Sequence, residues 1–198
     1  MTRGTDVTDF QRTYRTARTE EFPESLQLAL VREASLRYGE NPNQPAAIYH
    51  FHNSTLAPAT NIRLAKTGKA GLSATNYMDV TRALDVLKFF PQTAVAVMKH
   101  LIPSGWCTEQ VYTESLPRDL DLLYRNARDA DARSAFGAIV VFNRGVDLAT
   151  ATELTTTFVE GVAAPSFTAD ALTRLEEKKD LRLILYDGLD RLPKFVRD

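Results

Sequence analysis

Residues 93–107, TAVAVMKHLIPSGWC, decide how the rest of the chain is read. Ala94 to Met98 are apolar without a polar break, the pattern of a short strand buried on both faces. That strand delivers Lys99 and His100 side by side, then a loop holding Pro103, Ser104 and Gly105. Neighbouring residues on a strand point to opposite faces. An amine and an imidazole therefore reach one pocket only where the backbone leaves strand geometry. The end of a buried strand is where an α/β protein places ligand chemistry. The plain alternative is a strand end that meets water, with Lys99 solvated and His100 capping a neighbour.

Outward from this stretch, helical and strand patterns alternate. Before it, Val80, Ala83, Leu84, Leu87 and Phe90 recur at helical spacing, which predicts a helix over 77–90 with Asp79 near its positive end. After it come a helix over 116–130, a loop over 129–137 and a strand over 138–143. A helix over 147–159 follows, then a strand over 162–164 with Glu160 and Gly161 just before it. A Thr168-capped helix over 168–179 and a strand over 181–186 complete the series. Toward the N-terminus, 62–65 reads as a weak strand and 46–51 as another. The alternation predicts an α/β layered domain whose mixed, largely parallel sheet is flanked by helices.

Two loops carry candidate chemistry. In residues 36–45, LRYGENPNQP, the glycine, asparagines and prolines exclude a helix and specify turns. Arg37 and Tyr38 there offer either a forked cation with a stacking ring or a snorkelling arginine on a surface turn. In residues 129–137, small residues around Ser134 and Gly137 let backbone amides approach a ligand, and Phe136 offers a flat apolar face. The loop at 66–71 lacks the Walker order of glycine, lysine and hydroxyl. His50 and His52 have no acidic or cysteine partner nearby, so a metal role is not expected.

Composition narrows the class. The 198 residues suffice for one cored domain, read as 22–198 behind a polar arm over 1–21. Twenty-four basic residues against 25 acidic ones argue against a broad nucleic-acid surface but permit a local anion site. The lone Cys107 excludes an internal disulfide and suggests a reducing compartment. No apolar run reaches membrane-spanning length, so a cytoplasmic protein without membrane contact is expected.

Several segments together resemble one family. They are LRYGENPNQ at 36–44, MKHLIPSG at 98–105, DARSAFGAIVVFN at 131–143 and FVEGVAAPSF at 158–167, joined by GKAGLSATNYMDVTRAL at 68–84 and KKDLRLI at 178–184. Their order and spacing resemble the AICAR transformylase part of the bifunctional purine-biosynthesis enzymes, fused in most members to IMP cyclohydrolase. The resemblance implies a three-layer cytidine-deaminase-like fold and formyl transfer from 10-formyltetrahydrofolate to the 5-amino group of AICAR. It implies active sites at a homodimer interface, His100 as proton acceptor and Lys99 as stabiliser of charge on the formyl oxygen. Arg37, Tyr38, Ser134, Phe136, Gly137 and Glu160 become nucleotide-binding candidates.

The chemistry agrees with those roles. An aromatic amine conjugated with a carboxamide is a poor nucleophile and needs a base with a pKa near neutrality. An oxyanion needs a preorganised cation. A zinc deaminase needs H-x-E and P-C-x-x-C signatures; 103–107 read PSGWC, so no metal is expected. The chain departs from the family in three places. A cyclohydrolase portion and a second transformylase subdomain are not expected in it, and it has Leu101-Ile102-Pro103-Ser104 where bacterial relatives usually carry an asparagine-proline-cysteine run. The expectation is a formyltransferase needing a second copy or a separately encoded second half. The alternatives are a non-catalytic, regulatory module binding an AICAR-like nucleotide, and a relic with a structural role only.

Overall fold

The protein is described by a computed structural model covering residues 24–25, 27–52, 61–109, 119–192 and 194. The expected arm over 1–21 and the start of the helix expected at 116 lie outside the described residues.

In chain order the elements are β1 (Leu30–Leu36), β2 (Ala46–Phe51), β3 (Arg63–Lys66), α1 (Ala74–Leu87), β4 (Ala94–Lys99) and β5 (Ile102–Thr108). They continue with α2 (Leu120–Asp129), β6 (Ala138–Phe142), α3 (Leu148–Leu154), β7 (Val159–Ala164), α4 (Ala169–Glu176) and β8 (Arg182–Leu185). β1 and β2 form a separate antiparallel pair. The main sheet has six strands in the order β3-β8-β7-β6-β4-β5.

The sheet is mixed, but its expected parallel majority is corrected. β6/β7 and β7/β8 pair in parallel, whereas β3/β8, β4/β6 and β4/β5 are antiparallel. For β4/β5 the physical cause is the connection after Lys99. Lys99 pairs with Ile102, leaving only His100 and Leu101 to turn the chain, and two residues can join only antiparallel strands. Residues 102–108, expected to open as a loop, therefore form an edge strand. Pro103 is tolerated there because an edge position leaves one side of the strand unpaired. Gly105 lies where a Cβ would come within 1.6 Å of the Ala127 carbonyl oxygen, so α2 packs directly on the β5 backbone.

Alternate residues of β4 face opposite cores. Val95 and Val97 pack with Leu123 and Tyr124 of α2, Leu154 of α3 and Leu175 of α4. Ala94, Ala96 and Met98 pack with Val80, Ala83, Leu84 and Leu87 of α1. Among the described residues the result is three layers, with one helix on one face and three on the other.

Local chemistry sets the boundaries. α1 begins three residues before its expected start because Ser73 accepts the Asn76 N–H while the Asn76 side chain accepts the Ser73 N–H. α3 ends at Leu154, short of the expected 159. There Thr155 and Thr156 turn their hydroxyls back to the carbonyls of Thr152 and Glu153. The residues so released let β7 start at Val159, placing Glu160 and Gly161 inside the strand.

Candidate active site

The β4–β5 turn is strained. His100 and Leu101 have φ of 52° and 70°, in the left-handed region that non-glycine residues avoid. The change of hand right after Lys99 is the departure from strand geometry that the adjacent lysine and histidine require. Beneath the turn, the buried Asp79 of α1 accepts the Leu101 N–H at 2.6 Å. Burial pushes the Asp79 carboxyl above the ordinary carboxylate range; the Leu101 amide and the nearby His100 and Lys99 charges oppose that rise.

Lys99 Nζ donates to the Gly137 carbonyl at 2.7 Å and lies 3.9 Å from Glu160 Oε1. The other carboxylate oxygen of Glu160 accepts from Asn76 Nδ2 at 3.1 Å and stands 3.9 Å from Arg182 Nη1. Arg182 is 4% exposed. Its Nε and Nη2 donate to the carbonyls of Gly71 and Lys69, at 2.6 and 3.0 Å, which ties the loop over 67–71 to the sheet. Gly137, with φ 69°, has its would-be Cβ 3.1 Å from Lys99 Nζ and 3.3 Å from the Phe158 ring. Phe136, 68% exposed, stacks at a tilt on Phe158 with centroids 5.2 Å apart.

Four elements thus converge on the lysine: the C-terminal end of β4, the first turns of α1, and the N-terminal ends of β6 and β7, with β8 behind. The rule that ligand chemistry sits at carboxyl ends of strands holds here for β4, which runs against its neighbour β6.

Of the residues singled out from sequence, Lys99, Gly137 and Glu160 are in direct contact, and His100 is exposed on the adjoining turn. Tyr38 is tied in through its backbone: its carbonyl accepts the Ala74 N–H at the start of α1, and the Arg37 N–H donates to Leu72. The Arg37 side chain is exposed, stacks 5.1 Å from the Tyr38 ring centre, and lines a hollow of about 240 Å³ with Leu72 and Tyr77. Lys99 and His100 do not line that hollow; the arginine coupled to the lysine, through Glu160, is Arg182. Ser134 lies on the turn before Phe136, its N–H held by Asp131. Asn76 and Arg182 escaped the sequence reading. The signals were present, a Ser-x-x-Asn helix start and a charged residue within the apolar run LRLIL. Among the described residues, no helix is long and apolar enough to cross a membrane, and no His, Cys, Asp or Glu cluster could hold a metal ion.

A family model described as AICARFT/IMPCHase bienzyme matches residues 6–195. A protein of Sorangium cellulosum named bifunctional purine biosynthesis protein PurH is 45% identical over 176 residues, covering 87% of this chain and 32% of that protein. The protein of the same name from Myxococcus xanthus is 41% identical over 166 residues, covering 83% and 30%. That from Shouchella clausii is 38% identical over 165 residues, also covering 83% and 30%. The chain spans about a third of the length of these relatives. With a family match running almost end to end and a lysine–histidine turn at its chemical centre, the chain belongs to the AICARFT/IMPCHase bienzyme family.

Proposed function

We propose that this chain carries the formyl-transfer site of its family and acts in purine biosynthesis on AICAR. The carrying observation is the Lys99 ammonium, held between the Gly137 carbonyl and the Glu160 carboxylate and followed directly by an exposed His100 on a left-handed turn. 10-Formyltetrahydrofolate, when bound, supplies the formyl group. His100 accepts the proton leaving the 5-amino nitrogen as the new N–C bond forms, and the same proton is available for the departing N10 nitrogen. Lys99 faces the formyl oxygen as negative charge builds on it, in the manner of an oxyanion donor. Glu160 and the Gly137 carbonyl keep the ammonium aimed, while Arg37, Tyr38 and Ser134 hold the nucleotide. The open Phe136–Phe158 pair suits a flat heteroaromatic ring.

The three-layer arrangement supports a cytidine-deaminase-like fold for the described residues. The single cysteine favours a reducing compartment and so a cytoplasmic protein. The site's other wall comes from a second copy or from a second transformylase subdomain.

A second reading has one observation in its favour. His100 stands on an open turn, whereas Arg37 borders a defined hollow, so a chain that binds nucleotide without turning it over fits that geometry. Titration calorimetry with AICAR and with a non-reactive folate analogue, separately, decides between them. Binding of both supports the transferase, binding of AICAR alone supports the binding module, and binding of neither overturns both.

A further inference from the structure

The turn that presents Lys99 and His100 is an energetically unfavourable piece of backbone. Two consecutive residues with side chains adopt left-handed φ, and neither is glycine, asparagine or aspartate. Each such residue disfavours this conformation, so the turn persists only if something outside it compensates. Backbone amides freed in a turn can be satisfied by an anion placed beneath them. In this protein the anion is the carboxylate of Asp79. It accepts the Leu101 N–H at 2.6 Å.

Asp79 lies on α1 one turn beyond Asn76, so the same helix face grips Glu160 with one residue and the turn with the other. Its side chain is buried, and a buried carboxylate is costly unless hydrogen-bonded. Helix capping does not account for it, because Ser73 and Asn76 already satisfy the start of α1.

We infer that Asp79 is a positioning residue: from α1 it fixes the left-handed His100–Leu101 backbone and so sets the direction in which the Lys99 and His100 side chains leave β4. This inference rests on the formyl-transfer reading for its consequence in catalysis, but not for its structural content.

The test uses the full chain and two variants, Asp79→Asn, which keeps an acceptor oxygen, and Asp79→Ala, which removes it. Amide hydrogen exchange is read residue by residue. Asp79→Ala is expected to lose protection at Leu101 by about tenfold or more while Val95 to Val97 stay as in the parent, and Asp79→Asn is expected to retain it. In the formyl-transfer assay Asp79→Ala is expected to lose kcat by about 10²-fold with little change in KM for the nucleotide, and Asp79→Asn to recover most of it. Retained Leu101 protection in Asp79→Ala overturns the proposal. So does an activity loss that Asp79→Asn fails to rescue although its Leu101 amide stays protected. If the parent chain shows no formyl transfer, the functional reading fails, and the exchange measurement still decides whether Asp79 holds the turn.

Discussion

Gly137 leaves the site little room for a side chain. Any side chain there meets both the Lys99 ammonium and the Phe158 ring, and the residue's φ of 69° disfavours every L side chain. Gly137→Ala is expected to cost about 1–3 kcal/mol in stability and to displace the lysine. Chemical denaturation and nucleotide titration on the same variant check both effects. A variant with parental stability and affinity contradicts the packing described. At this scale the sequence singled out Lys99, Gly137 and Glu160, which the fold brings into contact. A lysine and histidine closing an apolar strand, and a small-residue loop beside an exposed phenylalanine, carry their meaning locally. Asn76 and Arg182 were not legible, because their roles depend on Glu160, which lies 84 residues from the one and 22 from the other. Nothing in the sequence fixes which arginine approaches the lysine: Arg182 is coupled to it through Glu160, while Arg37 lines a separate hollow.

At the scale of elements, α/β alternation was readable, but strand direction was not. Pro103 and Gly105 look like loop punctuation, and the two-residue turn lacks the Asn-Gly or Asp-Gly that usually marks a hairpin. A strained turn held by a distant carboxylate leaves no local signature. The close packing of α2 on β5 gives a sharp expectation. Gly105→Ala places a methyl group on the Ala127 carbonyl and should cost about 3 kcal/mol or more, read from the urea midpoint. A second junction joins α2 to α3, where Glu153 receives Arg128 Nη1 at 2.6 Å and Arg125 Nη2 at 2.9 Å. Burial raises the Glu153 pKa, yet the two arginines outweigh it and hold the carboxyl below the ordinary range. The stabilisation is therefore present above the ordinary glutamate pKa and is lost as pH falls through the lower folded value. Glu153→Gln should lower the melting temperature at neutral pH. The gap to the parent should close on acidification below about pH 4.3. A gap that is constant from neutral to acid pH contradicts this account.

At the scale of the whole molecule, the sheet supplies rigidity and the site sits at its rim. β4, buried on both faces, carries the lysine to that rim; β6, β7 and α1 supply its partners, and β5 turns away beyond the histidine. The chain spans about a third of its relatives' length, so its competence in formyl transfer is the central claim. The most direct measurement is the single-turnover rate of formyl transfer to AICAR from 10-formyltetrahydrofolate, in the parent, Lys99→Ala and His100→Ala at saturating nucleotide. The account predicts product with the parent, a fall of about 10²–10³-fold in Lys99→Ala and about 10²–10⁴-fold in His100→Ala. No product from the parent, or parental rates in both variants, would contradict it.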